Sequence, residues 1–173
     1  MIGFIELIRA SVFAAEVRQV KLVRHKGDDL DMDQLRNEGW FEIYQCFQSK
    51  PVFDGCTHIV SVIGEDATAS RFVGIYEVQG STTASPALLP EHCPYTQWGT
   101  ESRVFYTLKK CPGFEDLEDR VVIDWGKGAL AWHQWLTDRT IMEIRPRACS
   151  HYLRCSQIKA IETKVTYTTS SLS

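Results

Sequence analysis

The chain has 173 residues, of which 44% are hydrophobic, 11% aromatic and 24% charged. This length suits one domain with a short appendage, and such a chain buries roughly 70% of its unfolded surface without disulfides or metals. The composition is that of a globular protein and excludes a disordered or low-complexity chain. The net charge of −3 does not indicate a strongly basic nucleic-acid-binding protein. A local basic surface is nevertheless compatible with a negative net charge.

Neither a membrane segment nor a secretion signal is predicted. No run reaches the ~18 apolar residues that span a membrane, and Glu6 and Arg9 interrupt the apolar segment 1–15. We therefore expect a cytoplasmic protein whose cysteines are reduced. They are Cys46, Cys56, Cys93, Cys111, Cys149 and Cys155. Their spacing includes no Cys-x-x-Cys pair and matches no common zinc motif, so neither a metal nor a cofactor is predicted.

Hydrophobic periodicity predicts short helices and short strands. In chain order these are a helix at 2–9, a basic strand at 17–26, a helix that follows the aspartates of 28–33 and stops at 39, a helix at 40–48, strands at 58–63, 71–78, 103–108 and 120–124, a helix at 129–136 and a strand at 140–145. The polar segment 64–70 predicts a hairpin between the strands that flank it. Residues 80–100 are rich in Gly, Pro, Ser and Thr, which predicts a long loop.

Six short strands with helices at their ends predict an α+β fold. The sheet is expected to be curved or closed into a small β-barrel. Residues 1–146 form the predicted recognition module. The pattern fades over residues 147–173, which are predicted to form a C-terminal extension that is partly frayed.

Several segments together resemble a known module. In chain order they are Phe4–Arg9, Val20–Lys26, Tyr44–Gln48, Val73–Val78, Val122–Gly126 and Trp132–Gln134. Their order and spacing are similar to the N-terminal module that precedes the nuclease domain in bacterial proteins of the GIY-YIG nuclease family. The resemblance covers residues 2–146 and implies target recognition for a nuclease. The strand-and-loop pattern also resembles the PUA-like superfamily, whose EVE, ASCH, YTH and SRA domains read modified bases or RNA.

The catalytic signature of the nuclease family is incomplete in this chain. Gly74-Ile75-Tyr76 matches its first half, but no Tyr-Ile-Gly triplet follows. The triplet lies within a predicted strand in the middle of the chain, so we interpret the match as a coincidence. We expect no nuclease domain within residues 147–173. The chain is therefore expected to recognise a target rather than to be an enzyme on its own.

Three tryptophans lie within eleven residues of one another, at Trp125, Trp132 and Trp135, with His133 and Gln134 between the last two. In a helix, Trp132 and Trp135 would be neighbours on one side. Flat aromatic rings beside an amide suit a pocket that stacks on a base and reads its edge. The alternative is that these indoles belong to the core, because tryptophan buries a large area. The pocket interpretation favours Trp132, which lies closer to the Gly-Lys-Gly turn.

Two other segments could contact nucleic acid. Gln45 and Gln48 lie three residues apart on the polar side of a predicted helix, where two amides either contact a base or are simply solvated. The basic strand carries no acidic residue, and alternation places Arg24 and Lys26 on one side and Lys21 on the other. Such a strand either binds phosphates or is an edge that its charges protect from aggregation.

These features predict a module that binds nucleic acid, with DNA favoured over RNA, and reads a modified base for an associated or fused nuclease. The predicted contacts are Arg24, Lys26, Tyr44, Gln45, Gln48, Trp125, Lys127, Trp132, His133 and Gln134. Arg24, Lys26 and Lys127 would hold the backbone, and the aromatic residues would enclose the base. Two alternatives stay open: a small restriction or nucleotide-processing enzyme that uses His133 or a cysteine, and a protein-interaction module. No membrane partner is expected.

Overall fold

The structure, a computed structural model, describes residues 19–25, 31–66, 68–88, 101–124, 133–136 and 143–146. Its strands are β1 (Val20–His25), β2 (Phe47–Gln48), β3 (His58–Gly64), β4 (Ala69–Ala84), β5 (Arg103–Lys110), β6 (Val121–Asp124), β7 (His133–Trp135) and β8 (Glu143–Pro146). Its helices are α1 (Met32–Asn37) and α2 (Phe41–Cys46), with a short 3-10 helix at Pro86–Leu88. The predicted helix at 2–9 and the extension at 147–173 lie outside the described residues.

All of these strands belong to one mixed sheet. Six of them follow the order β2-β5-β4-β3-β1-β7, while β6 pairs with the first part of β4 and carries β8. β1 runs parallel to β3, and the other pairs are antiparallel. The six-stranded path curls into a half-barrel, which agrees with the predicted small α+β barrel-like fold. Because β1 lies between β3 and β7, its basic residues do not protect a sheet edge.

The helix signals read from the sequence are confirmed at α1. The Asp31 carboxylate accepts hydrogen bonds from the backbone N–H groups of Asp33 and Gln34, both at 3.0 Å, and so caps the helix. The chain leaves this turn at Gly39, whose φ of 78° suits glycine. α2 ends earlier than predicted, because residues 47 and 48 pair with β5 instead of continuing the helix.

The predicted hairpin is also confirmed, but β4 is longer than expected. β3 and β4 pair from His58 with Glu77 to Gly64 with Ser70. β4 then continues through Gly80–Ala84, where a loop was predicted, and pairs there with β5. The loop prediction was wrong for this segment because a neighbouring strand supplies hydrogen-bond partners, and Thr82 and Thr83 suit an extended backbone.

The predicted helix at 129–136 is wrong over residues 133–135, which form β7. In β7, His133 pairs with Val23 and Trp135 with Lys21, and the Leu136 N–H donates to the Val20 carbonyl at 2.8 Å. This pairing provides hydrogen-bond partners for the backbone N–H and C=O groups on the side of β1 that faces away from β3. A helix at 133–135 could not provide them. His133 and Trp135 are also modest helix formers, so long-range pairing overrides the helical spacing of this segment.

The sheet is packed on both faces. The face covered by the two helices, here the helix face, holds Met32, Leu35, Phe41, Ile63 and Val73, and a second cluster there holds Val23, Phe53, Ile59, Tyr76 and Tyr106. The opposite face holds Val20, Leu22, Val60, Val62, Phe72, Ile75, Phe114, Leu117, Val121, Ile123 and Leu136. The two helices have six residues each, and no helix in the described ranges is long and apolar enough to cross a membrane.

Candidate functional site

The outer strand β7 presents an exposed tryptophan. Trp135 is 41% exposed and is the one exposed large hydrophobic residue in the described part of the chain. Its strand partner Lys21 places its Nζ 4.2 Å from the centroid of the indole ring. Gly55, at a φ of 76°, lies on the other flank, where an added Cβ would sit 3.9 Å from Cη2 of the indole. The ring is therefore held by a cation and a turn while much of it faces solvent.

His133 shares this surface with Trp135. The two residues are separated by one position in β7, so their side chains point to the same face of the sheet. Gln134 points to the opposite face and is half-buried. Partial burial and the nearby positive charge of Lys21 lower the pKa of the exposed His133, which favours a neutral imidazole at neutral pH. His133 and Gln134, both among the predicted nucleic-acid contacts, therefore face in different directions.

A turn at residues 51–56 supports the exposed indole. Lys21 Nζ donates to the Val52 carbonyl at 2.5 Å, and this ties the turn to β1. On its other side, the Tyr106 hydroxyl donates to the Asp54 carboxylate at 2.7 Å, and the Phe53 ring packs on Tyr106 with centroids 4.8 Å apart. Residues from β1 and β5 thus fix the surface beside Trp135, which is what a preorganised binding site requires.

Arg24 lies away from this surface and holds the β3–β4 turn. Its Nε donates to the Ser70 hydroxyl at 3.1 Å and its Nη2 to the Asp66 carbonyl at 2.6 Å. The guanidinium lies directly on Gly64, where an added Cβ would come within 2.6 Å of Nη2. Alternation along β1 places Arg24 on the opposite face from Lys21, as the sequence predicted. Arg24 and Trp135 consequently do not form one binding surface.

The polar residues of α2 are used inside the fold. Gln45 is completely buried, which contradicts the interpretation of this amide as a solvated one. Its Nε2 donates to the Glu42 carboxylate at 2.8 Å, and Gln48 Nε2 donates to the Gln45 carbonyl at 2.9 Å. Tyr44 is half-buried against the His25 ring, with centroids 5.5 Å apart. Tyr44 and Gln45 therefore belong to the packing of α2 on the helix face, and Gln48 of β2 is tied to the last turn of that helix.

A buried tyrosine joins the same network. The Tyr76 hydroxyl donates to the other carboxylate oxygen of Glu42 at 2.8 Å. Burial and the charge of Glu42 raise the pKa of Tyr76. An added Cβ at Gly74 would lie 3.3 Å from the Tyr76 hydroxyl, so glycine leaves the space that this ring occupies. The Gly74-Ile75-Tyr76 triplet has a structural explanation in this sheet.

The thiols that the structure describes are poorly suited to nucleophilic chemistry. Burial raises the pKa of Cys46 to about 11, and burial also raises the pKa values of Cys56 and Cys111. A raised pKa leaves little thiolate at neutral pH. All three are free thiols. Among the described residues, no group of three or more His, Cys, Asp or Glu side chains is arranged to hold a metal ion.

The structure thus brings together Trp135, Lys21 and His133, of which only His133 was among the predicted contacts. Lys26, Trp125, Lys127 and Trp132 lie outside the described residues. Trp135 and Lys21 could have been paired only by treating 133–135 as a strand, and the helical spacing of the tryptophans argued against that. Comparison of the chain with protein-family models, curated proteins and solved structures finds no match. The functional argument therefore depends on these residues.

Proposed function

We propose that this protein is a nucleic-acid-binding module in which Trp135 stacks on an unpaired or extruded base. The observation that carries the proposal is the exposed indole on β7, flanked by Lys21 and by His133 on the same face. Every base has a π-face, and stacking on an aromatic side chain contributes about 1–3 kcal/mol per base. A partly exposed ring that its neighbours hold in place can accept a base with little loss of conformational entropy.

The charges around Trp135 favour a single-stranded or extruded target over an intact duplex. Lys21 is the cation beside the ring, and the Val52 carbonyl already uses one of its three donors. His133 contributes little charge at neutral pH, because its pKa is lowered. Tight duplex binding uses many Lys and Arg contacts to phosphates, whereas stacking needs an accessible base. We therefore expect binding to depend only weakly on salt.

The identity of the target comes from the family resemblance. Of the quoted segments, 20–25 forms β1, 44–48 spans the end of α2 and β2, and 73–78 lies in β4. On that basis we propose a PUA-like fold, DNA as the nucleic acid, a modified base as the recognised feature, and an associated or fused nuclease as the partner.

Titration of fluorescently labelled oligonucleotides tests the stacking role. Trp135→Ala should weaken binding to single strands by about 5- to 150-fold, which corresponds to one lost stacking contact of about 1–3 kcal/mol. Trp135→Phe should retain part of the affinity, because it keeps a ring. Single strands with plain or modified cytosine, and the matching duplexes, identify the preferred target. If Trp135→Ala binds every oligonucleotide as tightly as the parent protein while staying folded, the proposal is wrong.

A further inference from the structure

The second half of β4 has an open edge. β3 accompanies β4 only as far as Glu77, and the Val78 N–H makes the last bond on that side, to the Thr57 carbonyl at 2.8 Å. Within the part of the chain that the structure describes, Gly80–Ala84 of β4 pairs with β5 alone. All five residues from 79 to 83 are exposed. Because successive side chains point to opposite faces, both faces of this segment are open to solvent.

This edge lacks the usual protection against strand pairing. Natural sheet edges are commonly blocked by charged residues, proline, bulges or very short strands. The segment 79–84, Gln-Gly-Ser-Thr-Thr-Ala, contains neither charge nor proline. The bulge of β4 lies between Val78 and Gly80, at the base of the segment, and leaves Gly80–Ala84 in regular register with β5. No described residue pairs with this edge, so the extended backbone of the segment presents N–H and C=O groups that can pair with another strand.

We propose that segment 79–84 of β4 pairs antiparallel with the same segment of a second copy of this chain. In a two-fold antiparallel contact, residue i of one copy faces residue j of the other and j faces i, so edge charges of one sign would repel each other across the pair. An uncharged run of Ser and Thr is instead self-complementary, because cross-strand Ser and Thr pairs form hydrogen bonds. Specific binding of a different peptide would require pockets for its alternate side chains. A segment that is exposed on both faces has no such pockets and can bind only through its backbone.

The contact joins two curled sheets into one continuous sheet across the two-fold axis. It is short, since six residues of each chain take part. An interface of this size is well below the standard size of a stable dimer. The dimer is therefore weak and depends on protein concentration. Trp135 lies on β7, which β3 and β1 separate from β4 in the strand order.

Sedimentation velocity of the full chain, without nucleic acid, tests the proposal. Between about 5 and about 500 µM the weight-average mass should rise from 19.7 kDa towards twice that value. Thr82→Lys places a charge near the centre of the paired segment and should abolish the rise at whichever register the strands pair. Gln34→Lys adds the same charge on the exposed side of α1 and should dimerise like the parent protein. Circular dichroism melting checks that both variants are folded.

Hydrogen exchange of the parent protein gives a second measurement that needs no variant. Backbone amides of 79–84 should exchange more slowly at high protein concentration, while those of β7 should not change. A mass that stays at 19.7 kDa throughout would overturn the proposal and favour a foreign strand on this edge. A dimer that Thr82→Lys leaves intact, or one that protects β7 instead, would overturn it as well. None of these results depends on nucleic-acid binding at Trp135.

Discussion

At the scale of single residues, burial decides which polar side chains remain available for a ligand. Arg24 and Gln45 have the chemistry of nucleic-acid contacts, but they bind Asp66, Ser70 and Glu42 within the fold. A buried polar group without a partner lowers the stability of the fold by about 1–3 kcal/mol. Such groups are therefore hydrogen-bonded within the protein and are not available to a ligand. Trp135 remains exposed because β7 is the last strand of the sheet path.

His25 predicts how the stability of the protein depends on pH. It is buried between the rings of Phe41 and Tyr44, and its Nε2 lies 3.0 Å from the Ser61 hydroxyl. Burial lowers its pKa from 6.5 to about 4. The unfolded chain therefore takes up a proton first, so the free energy of unfolding should decrease as the pH falls from about 6.5 to about 4. The full decrease from this residue is about 3 kcal/mol.

Urea unfolding at a series of pH values measures this effect. His25→Gln keeps a polar partner for Ser61 but cannot be protonated, so its stability should fall less steeply over the same pH range. His58 and His133, whose pKa values are also lowered, stay in both proteins and serve as a common background. Equal slopes for the parent protein and the variant would show that His25 is not the group that titrates.

At the scale of elements, a charged cluster fastens α1 to the sheet. Arg36 of α1 binds the Asp119 carboxylate at 2.5 Å, and Arg71 of β4 binds Asp33 of α1 at 2.5 Å. Arg71 Nε also lies 3.4 Å from Asp119. The Asp119 N–H donates to the Phe72 carbonyl at 3.0 Å, which ties the loop before β6 to β4. One aspartate thus connects a helix, a strand and a loop.

Replacing Asp119 should loosen this junction. Asp119→Ala leaves Arg36 without its carboxylate and removes one of the two acids beside the buried Arg71. We expect the free energy of unfolding to decrease by about 1–3 kcal/mol, measured by urea unfolding. Asp119→Asn should lose less, because it keeps an acceptor oxygen and asparagine tolerates the φ of 58° found here. An Asp119→Ala protein as stable as the parent would contradict this role.

At the scale of the whole molecule, the curled sheet uses the Gly74-Ile75-Tyr76 triplet for its own packing. Ile75 and Tyr76 are buried on opposite faces, and the Tyr76 hydroxyl binds Glu42. We therefore expect the purified chain not to cut DNA in the presence of Mg²⁺ or Mn²⁺. Tyr76→Phe should instead lower the free energy of unfolding by about 1 kcal/mol through the lost hydrogen bond. Metal-dependent cleavage that disappears in Tyr76→Phe would contradict this expectation.

The sequence by itself determined the elements that local signals specify. Short apolar runs between polar segments marked β1, β3 and most of β4, and the aspartates of 28–33 and Gly39 marked the ends of α1, because such signals depend only on near neighbours. Much of the α+β character followed from these. The basic character of β1 was also evident from the sequence. The sequence did not show whether Lys21 and Arg24 face solvent or form hydrogen bonds within the protein.

Only the tertiary structure decided the strand at 133–135, the extension of β4 through Ala84 and the burial of Gln45. Each depends on a partner far away in the chain: β1 pairs with β7, β5 pairs with the end of β4, and Glu42, to which Gln45 donates, accepts a hydrogen bond from Tyr76. Long-range hydrogen bonds outweigh local propensities that differ by less than ~1 kcal/mol per residue. The exposed position of Trp135 beside Lys21 therefore results from the pairing of β7 with β1, and the residues next to Trp135 in the sequence do not predict it.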